Sequence, residues 1–232
     1  MKREFKKGKL AFLAGSFLLA IAPALQAADE PPQTTPEGMQ LIKRTDSRLV
    51  YAMPGATLDP YTKVVLLDCF VAFHKDWKRD YNRTASFPLR VDDADMERIR
   101  EDLAEEFRKV FEEELIEGGN EVVDHAGPDV LVIRPAIINL EVTAPDLKTA
   151  ARSSTVVRSA GRMTLYVELY DSVTSAIIAR IVDAQEGDHV GIALEANRIT
   201  NTAEARRILR DWAKELEGHL GEARAATAGA AE

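Results

Sequence analysis

Side chains that could perform chemistry are widely scattered in this 232-residue chain. The four histidines, His74, His125, His189 and His219, lie far apart and in no metal-ligand spacing. The sequence has no His-Glu-x-x-His, no paired Cys-x-x-Cys, no Gly-x-Ser-x-Gly and no glycine-rich phosphate loop. Because no constellation supports a mechanism, we expect a protein that is not an enzyme and that uses no metal or other cofactor.

Asp68 is the carboxylate best placed for a chemical role. It interrupts the apolar run of residues 63–73, which predicts one buried strand. An ionised carboxylate inside such a strand costs several kcal/mol unless it is hydrogen-bonded or paired. A structural partner, such as a buried arginine, is the first interpretation, and a site carboxylate is the alternative. Cys69, the only cysteine, is expected to be a buried and unreactive hydrophobe.

A second candidate region combines arginines with tyrosines. Arg152, Arg158 and Arg162 lie in or beside a long polar connection, and Tyr166 and Tyr170 follow in the next strand. Guanidinium groups bind carboxylates, and tyrosine is favoured at interfaces. We therefore consider these five residues, with Asp68, as candidate binding residues. The alternatives are internal salt bridges for the arginines and an ordinary half-exposed sheet face for the tyrosines.

Two amphipathic helices are predicted. The first carries an apolar stripe from Met96 to Leu115, begins at an aspartate variant of the capping box formed by Asp92 and Asp95, and ends at Gly118. The second begins near residue 201 and carries one apolar face at helical spacing. That face consists of Ala205, Ile208, Leu209, Trp212, Leu216 and Leu220.

The helices are expected to cover a sheet. Strands are predicted at residues 63–73, 121–123, 130–142, 162–170 and 177–181. Pro135 indicates an edge position or a bulge, because proline cannot donate to a ladder. The order of elements predicts a single α+β domain, with a mainly antiparallel sheet and two amphipathic helices packed on one face.

The N-terminal segment predicts export. A basic start, an apolar run over residues 10–22 and small residues before a cleavage point at Ala27 are typical of a signal peptide over residues 1–27. Proline and polar residues indicate a disordered leader over 28–40, followed by the domain over 41–220 and a disordered tail over 221–232. The location is therefore expected to be periplasmic or secreted.

The remaining chain is acidic. Removing 27 of 232 residues leaves 205, with 25 basic (30 − 5) and 37 acidic (38 − 1) side chains, and hence a net charge of −12. This charge argues against nucleic acid and anionic membrane surfaces as partners. No later segment has the length and apolar composition of a transmembrane helix, so no span is expected after signal cleavage.

Three segments resemble a bacterial family known as domain of unknown function 3313. They are Lys63-Val-Val-Leu-Leu-Asp68 with its continuation to Trp77, residues 159–174, and residues 200–212. The resemblance implies an exported envelope domain without an established activity, and it supplies no catalytic residue. Relatives are often lipoproteins whose lipid-bearing cysteine follows the signal. This chain lacks that cysteine, so we expect no lipid anchor.

The sequence thus favours an exported, non-catalytic envelope protein that binds another envelope protein or a cell-wall component. One alternative is a periplasmic carrier of a small ligand, with its pocket between the first predicted helix and the sheet. A carboxylate-based hydrolase around Asp68 is the other.

Overall fold

The computed structural model describes residues 30–143, 155–156, 159–188, 195–196 and 198–229. The predicted signal peptide lies outside these residues. The elements below belong to one compact unit that begins at Pro32. The described strands are β1 (Gln40–Arg44), β2 (Arg48–Ala52), β3 (Lys63–Leu66), β4 (Phe70–Phe73), β5 (Glu121–Val122), β6 (Val130–Val142), β7 (Thr155–Val156), β8 (Ser159–Asp171), β9 (Ile177–Asp188) and β10 (Glu195–Ala196). The helices are α1 (Trp77–Thr84), α2 (Asp93–Glu117) and α3 (Arg198–Gly229), and a short 3-10 helix covers Phe87–Leu89.

Eight strands form the main sheet, in the order β1-β2-β9-β8-β6-β3-β5, with β4 also pairing with β6. The sheet is mixed, so the prediction of a mainly antiparallel sheet is wrong. Strands β1, β2, β9, β8 and β6 pair antiparallel, whereas β6 pairs parallel with β3 and β4, and β3 pairs parallel with β5. The physical reason is the helical segment between β4 and β5, because such a crossover returns the chain in the same direction.

The predicted single strand over 63–73 is two strands. β3 pairs with the first half of β6, where Val64 faces Leu131, and β4 pairs with the second half, where Val71 faces Ile137. Pro135 lies in β6 between the two paired segments. Proline has no N–H to donate, but it lies where β3 has ended and β4 has not begun. Pro135 is therefore tolerated in an interior strand, and the predicted edge position is not needed.

The two long helices pack on the same face of the sheet, as predicted. The side chain of Asp92 accepts from the Asp95 N–H at 2.7 Å, and the Asp95 carboxylate accepts from the Asp92 N–H at 3.2 Å, which confirms the capping box. The core between the helices and the sheet includes Phe107, Val110, Phe111 and Leu115 of α2, Ile208, Leu209, Trp212 and Leu216 of α3, and Leu165, Val167 and Leu169 of β8. We call this side of the sheet the inner face.

The ordered region starts before residue 41, in contrast to the predicted disordered leader. The Thr35 hydroxyl accepts from the Met39 N–H at 3.2 Å, and the Met39 side chain is fully buried. The strands β1 and β2 then extend the sheet by an antiparallel hairpin. Composition alone could not predict this start, because the segment is held by a few specific contacts, including the buried Met39 and the hydrogen bond from Arg180 to Glu37.

The C-terminal region is also more regular than predicted. α3 continues through Gly229, well past Leu220, which is the last apolar residue of the predicted stripe. The alanines in this stretch favour continued helix because they lose no side-chain entropy on forming it. The short helix α1 was not predicted; its Trp77 is buried and donates its indole N–H to the Val142 carbonyl at 3.2 Å.

Candidate functional site

Asp68 lies on the surface between β3 and β4. Its side chain is 96% exposed, and its Oδ1 accepts from Arg108 Nη2 at 2.6 Å. The expectation of a buried carboxylate is wrong, because the chain leaves the sheet at this point and turns Asp68 towards solvent. An exposed ion pair of this kind contributes little to stability. Cys69 is buried as predicted, and burial raises the pKa of its thiol to about 12, which keeps it protonated and unreactive.

The arginines of the predicted polar connection are only partly described. Arg152 and Arg158 lie outside the described residues, so their role stays a prediction. Arg162 is exposed at the start of β8, and its Nε lies 3.2 Å from Glu141 Oε2 on β6. This contact is a cross-strand salt bridge within the domain.

Tyr166 and Tyr170 lie on the outer face of the sheet, opposite the helices, on either side of Glu168. Glu168 is only 6% exposed. Tyr166 Oη donates to its Oε1 at 2.9 Å, and Tyr170 Oη donates to its Oε2 at 2.6 Å. Arg180 of β9 adds two donors to Oε1, Nε at 3.0 Å and Nη2 at 2.7 Å. We call Glu37, Tyr166, Glu168, Tyr170 and Arg180 the Glu168 network.

The Glu168 network holds its charges in fixed states. Burial raises the pKa of Glu168, but the hydrogen bonds from Tyr170, Arg180 and Tyr166 outweigh it and leave that pKa lowered. Burial and the nearby carboxylate raise the pKa of Tyr166 to about 12. The carboxylate therefore stays ionised and the phenol stays protonated, as in a structural ion pair.

The same network attaches the N-terminal turn to the sheet. Arg180 Nη2 donates to Glu37 Oε1 at 3.1 Å, and the guanidinium lies 5.6 Å from the centre of the Tyr166 ring. The hydrogen bond from Arg180 lowers the pKa of Glu37 to about 2. Arg134, which is 64% exposed, lies beside the network with its Nη1 3.6 Å from Glu168 Oε2. Around the buried carboxylate, the outer face therefore presents the exposed Arg134 and two half-buried tyrosine rings.

The inner face of the sheet contains a cavity of about 460 Å³ that lies between α3 and strands β2, β8 and β9. We call it the α3 cavity. Most of its lining is apolar. The apolar lining residues are Ile42, Val50, Ala52, Ala56, Leu58, Phe111, Leu165, Val167, Leu169, Ile178, Ala179, Ile181, Trp212 and Leu216. The packing under α2 is dense, because Phe107 and Phe111 are fully buried and stack at 3.9 Å between ring centres. The α3 cavity is therefore a different site from the pocket predicted between the first long helix and the sheet, although Phe111 of α2 contributes to its lining.

Asp183 is the buried polar residue of the cavity lining, and it is fully buried. Its Oδ2 accepts three hydrogen bonds, from Arg48 Nη2 at 2.6 Å, from the Trp212 indole N–H at 2.7 Å and from Gln185 Nε2 at 3.1 Å. Its Oδ1 has no hydrogen-bond partner among the residues that the structure describes. Arg48 also donates to Glu215 of α3 and so connects the helix with two strands. We call Arg48, Asp183, Trp212 and Glu215 the Asp183 cluster.

Charged side chains continue from the Asp183 cluster along the lining of the cavity. Lys43 Nζ lies 3.7 Å from Glu215 Oε1, and His219 lies 3.9 Å from Glu215 and 3.4 Å from Glu222. Four carboxylates and two permanent cations line the cavity. They are Asp59, Asp183, Glu215 and Glu222, against Lys43 and Arg48. The cavity is therefore an apolar volume with an acidic polar side.

The sequence carried a signal for Asp183 that sequence reasoning missed. Asp183 follows Ile181 at the two-residue spacing that keeps side chains on one face of a strand, and Ile181 points inward with Ala179. An acidic residue at a position that should face the core indicates a buried carboxylate, and the same reasoning drew attention to Asp68. Within the described residues, no group of three or more His, Cys, Asp and Glu side chains is arranged to hold a metal ion. None of the described helices has the length and apolar composition needed to cross a bilayer.

The fold is an α+β domain with a mixed sheet and two long helices on one face, and it carries one polar cluster on each side of the sheet. Residues 39–216 match the family model described as "Protein of unknown function (DUF3313)". The chain belongs to this family, as the resemblance of its three segments predicted.

Solved structures with weak similarity include a PelC dodecamer from Paraburkholderia phytofirmans, 11% identical, with a TM-score of 0.37 over 73% of this chain and 97% of that chain. A minor lipoprotein from Acinetobacter baumannii is 12% identical, with a TM-score of 0.34 over 71% of this chain and 95% of that one. No curated protein matches the sequence.

Proposed function

We propose that the protein is exported to the cell envelope and binds a small, largely apolar ligand in the α3 cavity, which it releases unchanged. The observation that carries the proposal is the cavity itself. Its volume of about 460 Å³ falls within the range of roughly 300 to 1,000 Å³ that small-molecule sites occupy. Its lining combines many apolar side chains with a few polar groups, which is the usual composition of such sites.

The cavity opens to solvent, because its lining includes exposed side chains, among them Ile42 at 65% and Glu222 at 80% exposure. It is therefore a cleft in the surface rather than a void in the packed core, so a ligand has access to its apolar lining from solvent.

Binding without conversion is supported by the state of the polar groups. The Asp183 carboxylate is engaged by Arg48 and Trp212 rather than held as a free acid or base. The thiol of Cys69 is protonated and is not part of the cavity lining. The envelope location follows from the predicted signal peptide, and the acidic surface suits a protein that stays away from anionic membranes.

A cavity-filling variant tests this proposal. Ala179 lines the cavity on β9, and Ala184, on the same strand, is exposed and absent from the lining. We expect the purified protein to bind the neutral fluorescent probe N-phenyl-1-naphthylamine saturably and at one site. Ala179→Phe should weaken this binding about tenfold or more by occupying the volume, whereas Ala184→Phe should leave it unchanged. Absence of saturable binding, or equal binding by both variants, would refute the proposal.

A second candidate function is binding of a protein partner by the outer face. The observation that favours it is the exposed Arg134 beside Tyr166 and Tyr170, whose hydroxyl groups are held by Glu168. Rigid tyrosines with a neighbouring arginine are typical of energetically important interface residues. In-cell crosslinking followed by mass spectrometry should recover an envelope partner that is lost in an Arg134→Glu, Tyr166→Ser variant. Recovery of the same partner by that variant would exclude this surface.

A further inference from the structure

We propose that the α3 cavity selects ligands that carry a protonated amine on an apolar body. This inference rests on the proposed function, because it names the class of ligand that the cavity would hold. It follows from three observations: an unpaired carboxylate oxygen, an excess of acidic groups in the lining, and the prior engagement of the basic groups.

The unpaired oxygen is Oδ1 of Asp183. A buried acceptor without a donor is unfavourable, and native proteins leave few such groups. Asp183 lines the cavity, so the missing donor can be supplied from the cavity side. Oδ1 is covered in the structure, and the three hydrogen bonds to Oδ2 fix the orientation of the carboxylate, so a ligand donor reaches Oδ1 only when the side chains that cover it move. A hydrogen-bond donor on the ligand is therefore the group that this position lacks.

The charges of the lining favour a cationic donor. Asp59, Asp183, Glu215 and Glu222 outnumber Lys43 and Arg48 by two. Opposite charge on the ligand is favoured in a partly desolvated site, because low dielectric strengthens the attraction. A carboxylate or phosphate on the ligand would meet this acidic excess and be repelled.

The two cations of the lining are already engaged. Arg48 donates to both Asp183 and Glu215, and Lys43 lies 3.7 Å from Glu215. An anionic ligand would have to displace these carboxylates from their arginine and lysine partners. An ammonium group needs no such displacement, since it can join the carboxylates that are present.

Three probes of equal chain length separate the alternatives. Dodecylamine, dodecanol and dodecanoate would each be used at pH 7, at concentrations at which each is dissolved as a monomer, to displace N-phenyl-1-naphthylamine from the purified protein. We expect dodecylamine to compete about tenfold or more better than dodecanoate, the difference that one charge-assisted hydrogen bond supplies, with dodecanol between them.

Two variants assign the preference to the cavity carboxylates. Asp183→Asn should bring the amine and carboxylate probes within about twofold of each other, because it removes the charge that an ammonium would meet. Glu222→Gln, at a position where the side chain is 80% exposed, changes little of the packing and should reduce the preference by roughly threefold. Asp68→Asn removes one surface carboxylate outside the lining and should leave the preference unchanged.

The outcomes distinguish this inference from the proposed function. Equal or better competition by dodecanoate, with the dye still bound at the cavity, would overturn the amine preference and leave the carrier function standing. A preference for dodecylamine that persists in both Asp183→Asn and Glu222→Gln would also overturn it. Failure of the dye to bind at all would overturn both. A preference lost in the cavity variants and kept in Asp68→Asn would establish the inference.

Discussion

Two buried carboxylates, Glu168 on β8 and Asp183 on β9, lie on opposite faces of the same sheet and differ in how completely they are satisfied. Both pair with an arginine, Glu168 with Arg180 and Asp183 with Arg48. Both oxygens of Glu168 accept hydrogen bonds from neighbouring side chains. Of the Asp183 oxygens, only Oδ2 has partners within the described part of the chain.

The difference distinguishes a fully satisfied structural ion pair from the carboxylate at which we propose that a ligand binds. The side chains of the Glu168 network satisfy both oxygens of Glu168 and attach the N-terminal turn to the sheet, so Glu168 needs no donor from a ligand. The Asp183 cluster joins α3 to the sheet beside a cavity and keeps one acceptor unused. A buried charge is tolerated when it is paired, and a remaining unsatisfied group needs a specific explanation.

The largest expected effect compares matched substitutions at the two carboxylates. Glu168→Gln places an amide where both oxygens accept, so we expect it to lower the free energy of unfolding by about 3 kcal/mol. In Asp183→Asn the amide nitrogen can replace Oδ1, so the amide oxygen still accepts the three hydrogen bonds. This substitution should lower the free energy of unfolding by about 1 kcal/mol. Urea denaturation of both variants measures the difference. Equal losses would remove the distinction between the two sites.

The second prediction compares the two tryptophans. Trp212 donates to the charged Asp183 at 2.7 Å, whereas Trp77 donates to the neutral Val142 carbonyl at 3.2 Å. Hydrogen bonds to charged groups are the stronger class. Trp212→Phe should therefore lower the free energy of unfolding by about 1 kcal/mol more than Trp77→Phe, as measured by urea denaturation. A larger loss for Trp77→Phe would show that the Asp183 cluster contributes less than its geometry indicates.

A smaller expected effect is a pH-dependent change in stability that arises from Glu37, on the outer face. The pKa of Glu37 is lowered from 4.5 to about 2 by its hydrogen bond from Arg180. A lowered carboxyl pKa contributes stability above the ordinary pKa, and that stability is lost as the pH falls through the folded value. The wild-type protein should thus be more stable than Glu37→Gln at pH 7, and the difference should disappear between pH 4.5 and about 2.

Urea denaturation at low salt across this pH range measures that difference. Glu37 is half exposed, so added salt should reduce it. A difference that stayed constant down to pH 2 would contradict an ionised Glu37 as its source.

The smallest expected effect is that of Arg134→Ala. Its guanidinium is mostly exposed and lies 3.6 Å from Glu168, which has closer partners. The substitution should change the free energy of unfolding by less than about 0.5 kcal/mol. Thermal or urea denaturation checks this expectation. A loss above 1 kcal/mol would mean that the Glu168 network extends further over the outer face than its short hydrogen bonds indicate.

Features set by near neighbours in the chain could be predicted from the sequence. The capping box at Asp92 and Asp95 spans three residues, and the alternation around Leu165 and Val167 assigned the two faces of β8 correctly. The same alternation predicted that Glu168 lies on the outer face but did not predict its burial, because its ion-pair partner Arg180 comes from the neighbouring strand β9.

Features set by distant pairing could not be predicted. The parallel pairing of β3 with β6 joins segments separated by two helices, and no local pattern records it. The α3 cavity is a volume between elements, and it has no residue pattern of its own. The site predictions for Arg152 and Arg158 remain predictions.

The long strand β6 has a consequence for the order in which the sheet assembles. Its antiparallel neighbour β8 begins 17 positions after β6 ends, and β9 then pairs with β8, whereas the parallel partner β3 pairs Lys63 with Val130, 67 positions away. Closing such a long loop costs more entropy than forming a local meander, and distant contacts form slowly. We therefore expect β6, β8 and β9 to form first and β3 and β4 to dock last. In hydrogen exchange, the amides of β3 and β4 should be the first of the sheet to open.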